Sequence, residues 1–221
     1  MTIVLDDVLS TDEVVRIRES LTRVPFRDGR ASAGPVAREV KQNEQADGSD
    51  PEVAALARLV KIALERHPTF YAWARPMRWS NLMFSRYVGG HRYGAHTDDA
   101  CMQDDHGWPL RTDMSFTLFL SDPNDYDGGA LKFFEGASER SFRPAAGSAV
   151  LYATGLLHEV TPVTSGVRLA CVGWVQSLIR RADQREVLFD LDRVRRELTE
   201  GPAQLHLDKA IGNLLRMWAE I

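Results

Sequence analysis

His96-Thr97-Asp98 sets an imidazole and a carboxylate on alternate positions. In an extended segment alternate side chains share a face, so both groups could reach one point in space. They make two thirds of a 2-His-1-carboxylate triad, a donor set that suits Fe(II) and leaves coordination positions open. The third ligand would be a second His brought in by the fold. His158, at the head of a strand-like run, is the candidate. Arg168 begins the next such run. Its planar fork can hold a carboxylate through two parallel hydrogen bonds, which a Lys cannot match. On spacing alone, a His-x-Asp pair also fits a plain loop in which the Asp only orients the His.

The other titratable groups divide more simply. His91 lies an odd number of positions before His96 and points to the opposite strand face, which makes it a surface or loop residue. Asp99 is a candidate acceptor behind a metal-bound His, since such rings usually donate their second N–H. His106 sits in the polar loop Ala100 to Arg111, which could edge a substrate site. His67, before Pro68, marks a helix end, and His206 reads as an exposed helix residue.

The elements that must position these residues are legible in outline. Ile3-Val4-Leu5 is an opening strand. Ser10 caps a helix with Glu13 completing a capping box, and Val14, Ile17, Ser20 and Leu21 form its inner stripe. Residues 27–50 read as loop, with a short strand near Val36 to Lys41. Asp50-Pro51-Glu52 starts a second helix with Val53, Leu56, Val60 and Leu64 inward, ending near His67-Pro68. From Arg78 the pattern changes. Trp79 to Tyr87, Met114 to Leu120, Ala130 to Phe134, Ser148 to Tyr152, His158 to Val163 and Val167 to Leu178 are strand-like, separated by Gly and Pro turns. Short strands with no helices between them predict a sandwich or jelly roll. After about Arg180 two helices return, one with Val187, Leu188, Leu191, Val194 and Leu198 on a face, the other with Leu207, Ala210, Ile211, Leu214, Leu215 and Trp218.

Composition narrows the function classes. The net charge is −4 and there is no Lys/Arg block, so a nucleic-acid partner is not expected. No run is apolar for long enough to cross a bilayer, and the first residues carry Asp6 and Asp7 rather than a signal pattern. With two cysteines, Cys101 and Cys171, the expectation is a cytoplasmic protein with free thiols.

The motifs together resemble the prolyl-4-hydroxylase-like Fe(II)/2-oxoglutarate dioxygenases. The likeness is carried by Tyr87-x-x-Gly90-x-x-Tyr93-x-x-His96-x-Asp98, Gly128-Gly129-x-Leu131-x-Phe133, Pro144-x-x-Gly147-Ser148-Ala149-Val150, and His158-Glu159-Val160-x-Pro162-Val163-x-x-Gly166-x-Arg168 followed by Trp174. The tail, Trp174 to Ser177 and Gln184 to Asp192, looks like that of the bacterial PKHD-type hydroxylases. The resemblance implies an α+β chain with a double-stranded β-helix (jelly-roll) core flanked by N-terminal helices over residues 1–178, and a C-terminal helical extension over 179–221. It implies that His96, Asp98 and His158 ligate Fe(II) and that Arg168 binds the distal carboxylate of 2-oxoglutarate. Collagen-type prolyl hydroxylases carry a Lys at that place, so the departure puts a collagen-like substrate in doubt. Tyr87 is implied in the co-substrate pocket, its alternative being a core aromatic. Asn81 faces inward if the strand alternates. L-ascorbate is implied as reductant, O2 as co-substrate, and a small molecule, peptide or protein as substrate. The helical tail offers a surface for a homo-oligomer.

Two other functions use the same residues. A non-catalytic jelly roll could sense iron or 2-oxoglutarate and report through its tail. A zinc hydrolase would need a general base, and the nearest carboxylate, Glu159, is turned away from His158 by strand alternation.

Overall fold

A computed structural model describes residues 2–220. Helix α1 (Thr11–Leu21) starts as its sequence dictates: the Ser10 hydroxyl accepts from Glu13 N and the Glu13 carboxylate accepts from Ser10 N. Its buried residues are Val14, Ile17, Ser20 and Leu21. A short helix α2 (Pro35–Glu39) follows, then α3 (Pro51–Arg66), capped by the Asp50 carboxylate. His67 ends α3 and its ring accepts from Phe70 N to cap the next helix, α4 (Pro68–Ala74). The sequence pattern had left α4 unread.

The β framework is two facing antiparallel sheets. The larger runs Ile3–Leu5, Ala149–Ala153, Met114–Phe119, Arg168–Ser177, Met83–Tyr87, Glu44–Ala46 and Phe26–Asp28, with Pro76–Trp79 also paired to Arg168–Ser177. The smaller runs Ser138–Phe142, Leu131–Glu135, His158–Val160, Arg92–His96 and Lys41–Gln42. This is the expected jelly roll. Every residue of Met114–Phe119 is buried because that strand is covered on both faces. On one side α1, α3 and α4 supply Ile17, Leu56, Val60 and Phe70 to a large apolar cluster that includes Phe84, Phe116 and Leu118. On the other, Tyr87, Phe119, Leu131, Phe133, Tyr152 and Val160 fill the space between the sheets.

After the last long strand come α5 (Ala182–Glu197) and α6 (Pro202–Trp218), which form a satellite core with Ile179, Leu188 and Ile211. Helix α5 also packs on α4 through Trp73 and Phe189, whose rings meet edge-on at 5.1 Å. Among the described residues no helix is long and apolar enough to cross a membrane. Cys101 and Cys171 are both free thiols.

Three expectations are corrected. Residues 27–50 are not mainly loop: they contain a 3-10 turn (Gly29–Ser32), α2 and three short strands, and Val36 lies in α2 rather than in a strand. Pro35 at the first helical position starts α2, a cue that the Ala- and Gly-rich context masked. Asn81 is exposed, because the strand breaks between Trp79 and Met83 and alternation does not carry through. The inner face of α5 is Arg185, Leu188, Phe189 and Asp192, while Val187 and Val194 are nearly half exposed. Two charged residues occupy buried positions there, and a hydrophobic reading rotates the helix to avoid them.

Candidate active site

His96 ends the strand Arg92–His96, and His158 opens the strand His158–Val160. These strands are antiparallel neighbours with His96 directly opposite His158. That register carries a residue from late in the chain to its partner: the two rings lie 4.3 Å apart, centroid to centroid. Asp98 completes the group. Its Oδ1 stands 3.8 Å from Nε2 of His96 and 3.8 Å from Nε2 of His158. One donor atom from each of the three residues lies within 4.8 Å of the others, a spacing that could hold a metal ion.

Hydrogen bonds behind the triad fix its chemistry. His96 Nδ1 meets the Gly94 carbonyl at 2.7 Å, and His158 Nδ1 meets the Leu156 carbonyl at 2.8 Å. A carbonyl can only accept, so each Nδ1 carries the proton and each Nε2 turns a lone pair toward Asp98. Burial, helped by His158, pushes the His96 ring down to about 4, so it is a neutral donor at ordinary pH. Asp98 is held through Oδ2 by the Ser115 hydroxyl at 2.8 Å, and Ser115 in turn lies 3.1 Å from Thr154 Oγ1. Backbone carbonyls therefore take the role expected of Asp99. That residue instead stands beside Gly34 while its own carbonyl accepts from Thr112 Oγ1.

Arg168 is almost fully buried, 1% exposed, on the long strand beside Tyr87. Its guanidinium lies 5.0 Å from the Tyr87 ring and 5.1 Å from the Phe119 ring. Its Nε and Nη2 have no hydrogen-bond partner. Gly129 makes room for it: with φ at 59°, a Cβ there would stand 2.9 Å from Arg168 Cδ. A buried, unpaired guanidinium is costly, and an anionic ligand is the ordinary remedy. The donor set and this orphaned cation fit Fe(II) and 2-oxoglutarate.

The triad and Tyr87 line a cleft of about 680 Å³, open solvent included, between the two sheets. Arg168 does not line it but stands behind Tyr87. His91 faces a separate surface pocket with Asp28 and Glu44, and His106 and His206 are exposed. Glu159 turns away toward Lys132, as alternation required.

Comparison with known proteins places the chain. Residues 82–176 match the 2OG-Fe(II) oxygenase superfamily, and residues 183–220 match the PKHD-type hydroxylase C-terminal domain. A PKHD-type hydroxylase of Maricaulis maris is 46% identical over 224 residues, covering 100% of both chains. The chain belongs to the PKHD-type hydroxylases. Another, from Synechococcus, is 44% identical over 225 residues, again covering 100% of both chains. A PKHD-type hydroxylase is an Fe(II)- and 2-oxoglutarate-dependent dioxygenase. Solved structures share the fold at low identity. A Pseudomonas putida prolyl-4-hydroxylase has a TM-score of 0.53 at 19% identity, covering 80% of this chain and 92% of that one. A Trichoplax adhaerens prolyl hydroxylase in complex with a hypoxia inducible factor peptide fragment has 0.55 at 16%, covering 85% and 86%.

Of four further cleft residues of this PKHD-type hydroxylase, Tyr93 had entered the sequence reading only as a motif residue without a role, and the other three had escaped it. Tyr93 stacks on His96 at 3.6 Å with the planes 16° apart. The Tyr152 hydroxyl stands 3.4 Å from His158 Nε2. Lys41 and Asn43, each 4% exposed, reach the cleft from the segment read as loop. Burial pushes the Lys41 ammonium down to about 8, against the pull of Asp98. The available signal was the polar alternation Lys41-x-Asn43-x-Gln45, which the fold carries on two short strands, Lys41–Gln42 in the smaller sheet and Glu44–Ala46 in the larger.

Proposed function

We propose that His96, Asp98 and His158 hold Fe(II), that Arg168 binds the distal carboxylate of 2-oxoglutarate, and that Tyr87 orders the co-substrate pocket between them. On this reading the protein hydroxylates a small-molecule, peptide or protein substrate with O2, converting 2-oxoglutarate to succinate and CO2. L-ascorbate is the reductant that keeps the iron ferrous, and the cytoplasm is the compartment. Residues 1–178 form the catalytic unit and 179–221 a helical extension that offers a homo-oligomer surface. The observation that carries the proposal is the convergence of two Nε2 lone pairs and a carboxylate in one cleft, with an unpaired buried guanidinium behind it.

When bound, the iron supplies O2 activation coupled to 2-oxoglutarate decarboxylation. The chain's own residues do the rest. The Gly94 and Leu156 carbonyls hold both imidazoles in the donor tautomer. Ser115 aims the carboxylate. Tyr87, Tyr152 and Leu131 wall the cleft, with Phe133 packed behind Tyr152, and exclude water. Arg168 offers its fork from a site too buried to be satisfied by solvent.

The test is an assay of succinate with Fe(II), 2-oxoglutarate and O2, with and without a metabolite extract, run beside anaerobic binding of the co-substrate. Succinate formation is expected. Tight binding of both ligands without succinate in any mixture would favour the sensor instead. A zinc hydrolase has little support, since Glu159 is turned from the cleft and lies 3.9 Å from Lys132 Nζ.

A further inference from the structure

Lys41 is a buried cation with no carboxylate in direct contact, Asp98 and Asp28 acting on it only from a distance. Its Nζ donates to Ser32 Oγ at 2.9 Å and stands 4.9 Å from the centre of the Tyr93 ring. Among the described residues no carboxylate lies within ion-pair distance of it. An ammonium has three N–H donors, and buried charges are as a rule paired. Two of the three are thus unspent in a residue that lines the cleft. Asn43, two residues on, makes no close hydrogen bond through Oδ1 or Nδ2, although its amide lies beside the Tyr87 hydroxyl. Gln45, two residues further, is engaged by Ser32 and Ser85. Ser32 therefore braces the strip, while Lys41 and Asn43 present unused polar atoms.

We propose that Lys41 is a specificity-determining residue that binds a carboxylate on the substrate, with Asn43 hydrogen-bonding beside it. The inference rests on the reading of the cleft as an Fe(II)/2-oxoglutarate site. Placement supports it. Lys41 is the cross-strand partner of Tyr93, whose ring stacks on His96, so the ammonium lies one ring away from the proposed metal. Arg168 rises from the opposite sheet, behind Tyr87. The two cations therefore serve two different anions.

Charge supports it as well. The ferrous ion, Arg168 and Lys41 bring four positive charges to the loaded site. Asp98 and 2-oxoglutarate bring three negative ones. The other charged residue of the lining, Asp99, is exposed to solvent beside Gly34 and beyond ion-pair distance of Lys41, so it stays outside the interior balance. One substrate carboxylate balances the interior, and it would fix the oxidised carbon a short distance from the carboxylate. A neutral substrate would leave Lys41 buried and unpaired.

The test uses protein loaded with Co(II), which does not turn over, and saturating 2-oxoglutarate. Benzoate and benzamide, alike in shape and different in charge, are titrated by calorimetry. Wild type is expected to prefer benzoate by about tenfold or more, the worth of a charge-assisted hydrogen bond in a dry site. Lys41→Met should bind the two probes equally, and Lys41→Arg should keep the preference. Absence of benzoate binding to the loaded wild type, or a preference that survives in Lys41→Met, would overturn the inference. So would a Lys41→Met protein that loses 2-oxoglutarate by the same factor, since Lys41 would then belong to the co-substrate. Failure of the wild type to take up Co(II) and 2-oxoglutarate at all would instead sink the underlying reading of the cleft.

Discussion

His96 and His158 are cross-strand partners, directly opposite one another in the smaller sheet. The site is thus built into the sheet's register, and a one-residue slip would send one imidazole to the far face. His158→Ala removes a donor without changing the backbone pairing. It should weaken Fe(II) or Co(II) binding by more than about a hundredfold, since even outer partners of ligands are worth ten- to a hundredfold. Calorimetric metal titration measures this, and unchanged affinity would remove His158 from the metal site.

Ser115 gives a graded version of the same test. Its hydroxyl holds Asp98 Oδ2 and leaves free the Oδ1 that faces both imidazoles. Ser115→Ala should cost about tenfold in metal affinity through loss of carboxylate orientation. Metal added in excess should restore succinate production. A variant that excess metal does not rescue would show that Ser115 acts elsewhere.

Arg168 is predicted to act on 2-oxoglutarate and not on iron. Hydrogen bonds to a charged group are worth about 1.5–3 kcal/mol. Arg168→Met should therefore raise the co-substrate KM by roughly ten- to a hundredfold, with metal affinity little changed. Arg168→Lys retains the charge but not the fork and should fall between. The Met variant should also be at least as stable as wild type without ligands, because Nε and Nη2 are unpaired there.

Local rules were sufficient wherever one residue type has one use. The Ser10–Glu13 box and the Asp50–Pro51 helix start follow from capping chemistry alone, and the structure places both as read. The triad was legible for a related reason: Asp98 follows His96 at alternate spacing just past the end of its strand, and His158 heads the strand that pairs with it. What escaped was set by tertiary partners. Arg185 is buried in α5 because it donates to the Ile179 and Arg180 carbonyls, and Asp192 because Arg75 reaches it at 2.5 Å. No periodicity of apolar residues reveals a buried charge held by tertiary partners. Segment 27–50 looked like loop because its strands are two or three residues long and gain their pairing from Met83–Tyr87 and Arg92–His96.

The Arg75–Asp192 pair ties α5 to the end of α4, where Arg75 adopts a left-handed conformation at φ 41°. Both side chains are only about one-tenth exposed. Asp192→Ala would leave the guanidinium buried without its anion. That change is expected to cost about 3–5 kcal/mol, as for other broken buried pairs. Chemical denaturation should show it. Loss of less than about 1 kcal/mol would mean that the helical extension docks through Trp73 and Phe189 alone.

Lys41 should make the ligand-free protein less stable than it could be. Burial holds its ammonium at about 8, whereas an unfolded chain titrates near 10.5. Below about pH 8 both states are protonated and the full cost of burying the charge is present. Between those values the unfolded state binds more protons than the folded one, so wild-type stability rises with pH. The depression corresponds to about 3 kcal/mol. Lys41→Met is therefore expected to be more stable than wild type by about that amount near pH 7, and the advantage should shrink steadily toward pH 10. Denaturant titration of the two proteins in parallel cancels the groups they share. An advantage independent of pH would mean that water reaches the ammonium in the free protein.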